Sequence, residues 1–326
     1  MHETDRERTA SMTRRQLLAS SLGAAALATA NSTLAQPEIP TASRELWQWV
    51  RTQPMLDGRI AWLNTASVGP TLRLSMASEY RARESQTGEL ASFAGTDRWS
   101  FETTRLATRV AAFAGCDPDE VLFTHGAGEA LSTVAAGLDL ASGDEVVTTT
   151  QEHPAALSPW LYQARRRGIV VKQVPLPAVL TGPEQALGLL AGAITERTRV
   201  LAFSHVQYAD GTLLPVRELC QLARQRNIVS VVDGAQAFGM LDFNLRDLGC
   251  DYYAICFHKW LLGSHGTGML YVRREMLDRL WPLTPQGIDA YPPVATPTQS
   301  AGQRDIPAAL HTIWRSEERR VGKECR

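Results

Sequence analysis

The sequence predicts an α/β fold with a mostly parallel sheet covered by helices on both faces. Apolar, β-branched runs of strand length recur along the chain, and they alternate with segments of helical spacing. Strands that are apolar throughout are buried on both faces, and strand–helix alternation favours parallel neighbours joined by crossovers. Ligands of such sheets gather beyond the carboxyl ends of the strands, so residues just past a strand are the first candidates for chemistry.

In chain order, Glu45–Val50 and Leu72–Glu84 read as helices, with WLNTASVGP (Trp62–Pro70) between them as a short strand running into a turn. Trp99–Ala114 has helical spacing and leads through GCDPDE to the strand Val121–Thr124. A glycine turn at Gly126–Gly128 opens a helix over Glu129–Leu138. The strand in Gly143–Thr149, the helix Leu157–Arg167 and the strand in Gly168–Leu176 follow. Arg199–His205 is a strand, Pro215–Gln225 a helix and Ile228–Val232 a strand. Tyr252–Cys256 and Gly268–Val272 complete the set as two more strands.

The chain has 326 residues, with 33 basic and 34 acidic side chains, so its summed charge suggests neither a nucleic-acid binder nor an acidic tail. TRRQLL (Thr13–Leu18) precedes a mild apolar stretch through Ala30 that is too short and too weakly hydrophobic to span a membrane. This leader, residues 1–35, resembles a twin-arginine export signal, with cleavage allowed after small residues at Ala28 and Ala30 or at Thr33 and Ala35. The expectation is an exported, periplasmic protein that uses the twin-arginine machinery and has no stable membrane association. Five cysteines show no CxxC and no disulfide spacing, so buried free thiols are expected despite export. At the other end, RSEERRVGKECR (Arg315–Arg326) reads as the translation of sequencing-adapter DNA. Cys325 therefore carries no weight, and the natural chain is expected to continue past Trp314. The expected layout is residues 36–69 contributing to a small domain, 70–290 as the large domain, 291–314 as the start of a link, and 315–326 as the artefact.

Asp233 lies in VVDGAQAFG (Val231–Gly239), at the carboxyl end of a buried strand. Lys259 stands beside His258 in CFHKW (Cys256–Trp260), just before GSHGTG (Gly263–Gly268). Taken singly, these are a helix-capping aspartate and a surface lysine. A buried carboxylate and a buried amine are each costly without a partner. The two runs resemble the halves of a pyridoxal 5'-phosphate (PLP) site, and PLP could supply both partners, its ring nitrogen for the acid and its aldehyde for the lysine. The turn THGAGEA (Thr124–Ala130) places two glycines between strand and helix, where amides and the helix dipole converge on an anion. It is neither a Walker A loop nor a dinucleotide fingerprint. His153, just past a strand in TTTQEHPAALSPW (Thr148–Trp160), is either a capped surface residue or an imidazole lying flat over a pyridine ring. No HxxxH and no clustered Cys/His spacing points to a metal.

From about Trp62 to Ala309 the chain resembles the class V aminotransferase-fold, PLP-dependent enzymes. The glycine turn, EHPA, SHVQYADGTLLPV (Ser204–Val216), DGAQ and HK follow in the family's order. HKW, GSHGTG and LYVR (within His258–Arg273), with the leader, are most similar to the isopenicillin-N epimerase-like branch. The resemblance implies PLP fold type I, with Lys259 as the Schiff-base lysine and Asp233 as partner of the pyridine nitrogen. Gln236 resembles the donor to the phenolate oxygen, and His153 the stacking histidine. His258 resembles a phosphate ligand. Asn64 and His205 fall where relatives face the substrate, although His205 also fits a core histidine. GQRD (Gly302–Asp305) resembles the segment that reaches the partner's phosphate across a homodimer. The phosphate pocket departs from the pattern at Ala127 and Gly128, where many relatives carry Thr-Thr. It departs again at Cys256, which replaces Ser, and at Gln303, which replaces Thr.

The family resemblance implies a small amino-acid-like substrate and proton abstraction at its Cα, with epimerase or aminotransferase chemistry. A cysteine desulfurase or selenocysteine lyase-like enzyme is the enzyme alternative. A degenerate PLP-fold binding protein is the non-enzyme alternative.

Overall fold

In the computed structural model the described residues are 39–88, 98–281 and 283. The expected leader, link and tail, Gln303, and the GQRD segment lie outside them. Met1–Thr52 and Gln53–Arg326 form two compact units. In the first, helix α1 (Ser43–Thr52) carries Glu45 in its first turn and Arg51 in its last, both favourable to the helix dipole.

The second unit starts at Gln53, so residues 53–69 pack with the sheet unit. Pro54 bridges Leu72, and the Gly69 amide donates to the His258 carbonyl at 2.8 Å. Helices α2 (Arg73–Gly88) and α3 (Arg98–Ala114) lead into β1 (Val121–Thr124). Then come α4 (Ala127–Gly137), β2 (Glu145–Thr149), α5 (Pro154–Arg167), β3 (Val170–Val174) and α6 (Pro183–Ala193). The chain continues through β4 (Thr198–Ser204), α7 (Val216–Gln225), β5 (Val229–Asp233), α8 (Leu245–Leu248), β6 (Tyr252–Cys256) and β7 (Gly268–Val272).

The seven strands form one sheet in the order β1-β7-β6-β5-β4-β2-β3. The run from β6 to β3 is parallel, and β7 is antiparallel to both of its neighbours. The carboxyl ends of β1, β2, β4, β5 and β6 therefore share one edge with the start of β7. Side chains alternate between two cores: Val231 and Tyr252 pack with Leu131 and Trp160, while Val232 and Tyr253 pack with Leu190 and Leu219. Both faces are thus covered, and β2, β5, β6 and β7 are buried along their whole length.

Four elements differ from the sequence reading. Trp62–Pro70 forms no strand; its chain is extended and then turns, with Trp62 Nε1 donating to the Val68 carbonyl at 2.9 Å. Helices α6 and α8 were not anticipated. Helix α5 starts at Pro154 instead of Leu157, which makes His153 its N-cap.

Two glycines are fixed by close approach. A Cβ on Gly234 would lie 1.8 Å from the Tyr253 ring, and one on Gly268 would lie 2.4 Å from the Ile255 carbonyl oxygen. Gly188, exposed within α6, has nothing within 4 Å of its would-be Cβ. Gly234→Ala is expected to destabilise the protein by about 1–3 kcal/mol through overpacking. Gly188→Ala should instead stabilise it by about 0.5–1 kcal/mol through helix propensity. Denaturant unfolding of the two variants checks both signs.

Candidate active site

A cavity of about 460 Å³ opens at the shared edge of strand ends. Its size suits a small cofactor with substrate. Ser204 closes β4, Asp233 closes β5 and Cys256 closes β6, and all three line it. Ala127 and Gly128 enter from the start of α4, His153 from the N-cap of α5, and His258 and Lys259 from the loop after β6. Asn64, Ala66 and Ser67 complete the opposite wall.

One end of the cavity is built for an anion. The Ala127 amide, first in α4, donates to the Cys256 thiol at 3.3 Å. The His258 Nδ1 is buried and has no hydrogen-bond partner. Gly126, the residue before α4, holds the two elements together: a Cβ there would lie 3.7 Å from Cys256 Sγ and 3.8 Å from His258 Cε1. A helix start beside an unpaired imidazole nitrogen suits a phosphate.

The middle of the cavity is built for a cationic ring. Asp233 is buried, and its Oδ1 accepts from the Ala235 amide at 2.9 Å. Burial pushes its carboxyl above the usual carboxylate value, against the opposing pull of that amide, Lys259 and His153. The His153 Nδ1 accepts from the Ala155 amide at 3.1 Å, so in the neutral ring the proton sits on Nε2. Burial first, and Lys259 second, hold this imidazole below its ordinary pKa. Gln236 spends its amide on two neighbours: Nε2 donates to the Ala66 carbonyl at 2.9 Å, and Oε1 accepts from Trp260 Nε1 at 2.8 Å. A second Nε2 hydrogen remains for a ligand oxygen. Lys259 is fixed by a backbone contact, since a Cβ on Gly69 would come within 2.1 Å of the Lys259 carbonyl oxygen.

Beneath the cavity, the buried Glu152 carboxylate gathers Thr149 Oγ1 at 2.7 Å, Ser204 Oγ at 2.5 Å and Gln207 Nε2 at 3.3 Å. Burial raises its pKa. These bonds tie the loop that carries His153 to the end of β4.

His205 departs from the substrate-side expectation. It is buried away from the cavity lining, its Nδ1 pairs with the Tyr253 hydroxyl at 2.8 Å, and its ring packs 5.0 Å from that of Phe243. Burial lowers its pKa to about 4. Asn64 does line the cavity, with its Oδ1 accepting the Ser67 amide at 3.2 Å. Sequence reasoning missed Ser67, Ser204, Val206 and Tyr208. Tyr208 meets the His153 ring edge-on, with centroids 4.9 Å apart. Ser204, Val206 and Tyr208 line the cavity and His205 does not, an alternation of side chains as the chain leaves β4.

The aminotransferase class-V family model matches residues 66–309. The isopenicillin N epimerase of Amycolatopsis lactamdurans is 34% identical over 244 residues, covering 70% of this chain and 58% of that protein. A probable cysteine desulfurase of Pseudomonas aeruginosa is 42% identical over 184 residues, covering 56% of this chain and 44% of that one. Among solved structures, a C-DES mutant with glycine covalently linked to its PLP cofactor superposes with a TM-score of 0.67 at 25% identity. The match covers 87% of this chain and 76% of that one. The chain belongs to the aminotransferase class-V family and has the PLP-dependent type I fold. It spans less than three fifths of the length of these curated relatives.

The residues present fit PLP. The buried Asp233 lacks a full cationic partner, the His258 Nδ1 lacks any partner, and Lys259 lines the same cavity. Among the described residues, four cysteines are free and buried. Burial pushes the Cys116 and Cys220 thiols to about 12 and the Cys250 thiol well above its usual value.

Because the folded state holds His205 neutral, protonation should oppose folding. Its contribution is complete above about pH 6.5 and is lost as the pH falls toward about 4. His205→Gln, which can still pair with Tyr253, should flatten that acid limb in pH-dependent unfolding and leave PLP binding intact. Loss of PLP binding in this variant would return His205 to the cavity.

Proposed function

We propose that this chain carries the cofactor-binding part of a PLP-dependent enzyme acting at the Cα of a small amino acid or amino-acid-containing compound. The outcome is epimerisation or transamination. The observation that carries this reading is the buried Asp233 sharing one cavity with Lys259 and an N-capped, neutral His153. Similarity to isopenicillin N epimerases supports the epimerase branch. The enzyme would act as a homodimer, exported through the twin-arginine route that the leader resembles.

When bound, PLP supplies an aldehyde for the substrate amine and a ring that withdraws electrons from Cα. The Asp233 carboxylate holds a proton on the ring nitrogen, since an adjacent anion favours the charged form. The Lys259 Nζ would hold the cofactor aldehyde in the resting state, and the same amine would serve as the base that moves the Cα proton. His153, its tautomer set by the Ala155 amide, would orient the cofactor ring. The α4 amides and His258 hold the phosphate end.

The second reading is desulfuration or a related lyase reaction, favoured by the 42% identity to a probable cysteine desulfurase. Cys256 is a poor sulfur carrier there, because its thiol is engaged with the Ala127 amide and burial raises its pKa.

Borohydride reduction of the PLP-loaded protein should mark Lys259 in peptide mass analysis. A mark on another lysine overturns the site, and no mark favours a binding protein. Asp233→Ala should still be marked at Lys259 yet lose about 100-fold or more in substrate Cα–H exchange, the scale of a missing electrostatic partner. Unchanged exchange would defeat the mechanism.

Reaction class is read in deuterated water. Solvent deuterium at Cα with loss of optical purity indicates epimerisation, and keto-acid formation indicates transamination. Sulfide and alanine from cysteine, without either signature, select the lyase reading. Sedimentation of the holoenzyme should show a dimer, and a monomer with full PLP occupancy would refute the shared site.

A further inference from the structure

The Gly-rich loop after Lys259 places a second histidine against the anion end of the cavity. The rings of His258 and His265 are stacked, with centroids 5.7 Å apart and planes 17° from parallel. His265 is solvent-exposed, whereas the Nδ1 of His258 is buried and unpaired. The Thr267 backbone favours a protonated His258 ring. Nδ1 is unpaired, so the ring can donate to a phosphate oxygen there only with a proton on that nitrogen. A neutral ring with its proton on Nε2 offers only a lone pair at Nδ1, which repels a phosphate oxygen. An imidazolium offers N–H at both nitrogens.

We propose that His265 is a positioning residue for the phosphate group, holding the His258 ring edge-on to the start of α4 so that binding a phosphate monoester draws one proton onto His258 Nδ1. The inference rests on the PLP reading for its ligand but concerns only the phosphate end. The step balances as proton uptake from solvent: an N–H bond forms at Nδ1 and donates to a phosphate oxygen, and no other bond changes.

The charged surroundings agree. Lys259 on the same loop and the stacked His265 both oppose a proton on His258, and burial opposes it more strongly. The Cys256 thiol, across the start of α4, has its pKa raised by burial. On the α4 side, Glu129 is engaged with His125 Nδ1 at 2.9 Å. On α2, Glu79 takes a hydrogen bond from Ser264, beside His265. The ring is therefore neutral in the free site near pH 7, and an arriving dianion reverses the balance. Affinity should rise as pH falls toward about 6, where the phosphate itself takes up a proton.

The test compares PLP, pyridoxal and inorganic phosphate as ligands by calorimetry in two buffers of different ionisation enthalpy, for wild type, His265→Ala and His265→Phe. Wild type should take up more protons with PLP than with pyridoxal. His265→Ala should bind PLP roughly three- to tenfold more weakly, the scale of one aromatic contact, with smaller proton uptake and unchanged pyridoxal affinity. His265→Phe, which keeps a flat ring on His258, should restore PLP affinity. Wild-type affinity and pH dependence in His265→Ala overturn the proposal. So does an equal loss for pyridoxal, which would mark a general structural effect, or failure of wild type to bind either PLP or phosphate. A wild type marked by PLP at Lys259 with no His265 effect defeats this inference alone. His265-dependent binding of inorganic phosphate without a mark at Lys259 supports it and defeats the cofactor reading instead.

Discussion

The site is organised around a carboxylate that the fold removes from water without fully neutralising it. Asp233 ends β5 between Ser204 of β4 and Ala254 of β6, so neighbouring strands wall it off on both sides. One backbone amide reaches it, and the two basic side chains that act on it, Lys259 and His153, do not offset the cost of burial. A lone buried anion is among the least favourable features a fold can contain, and it survives only where a cation completes it. A protonated pyridine nitrogen is such a cation. The requirement also explains DGAQ as a unit: Gly234 lets the Tyr253 ring pass, Ala235 supplies the amide, and Gln236 crosses to the Ala66 carbonyl.

Much of this was legible in the sequence because its signals were local. The β-branched runs gave the strands, and Asp233, His153 and Lys259 stood just where strands had to end. What was lost depended on contacts between distant segments. Helix α6 contains Gly188 and Gly192, which weaken the helical signal, and it is held by burial of Ala186 and Leu190. The Trp62–Pro70 segment has strand-like composition but meets no partner strand; it is ordered instead by its own turn and by the Lys259 loop. With a core histidine as the alternative, the family resemblance puts His205 on the substrate side. Parity decides otherwise, and parity follows from how β4 registers with β5, which a single strand cannot reveal.

The cavity also depends on backbone approaching backbone. A Cβ on Gly69 would strike the Lys259 carbonyl, and one on Gly268 would strike both the Ile255 carbonyl oxygen and Gly126 Cα. The lysine loop, the start of β7 and the start of α4 are thereby locked at fixed spacing. Side chains so placed need little reorganisation to meet a ligand, and that preorganisation is what a catalytic constellation requires.

Cys256 alters the electrostatics of the cavity where it meets the start of α4. A hydroxyl at this position would offer a phosphate a strong donor, whereas this thiol serves as acceptor for the first α4 amide. With Ala127 and Gly128 contributing no side-chain donor either, the load shifts to backbone dipoles and one imidazole. Backbone amides carry fixed partial charges and cannot respond to pH. Among the described residues the charge state of His258 is thus an adjustable quantity at this end of the cavity, and under the proposal above the ring stacked on it, His265, gains a consequence it would lack in a pocket rich in hydroxyls.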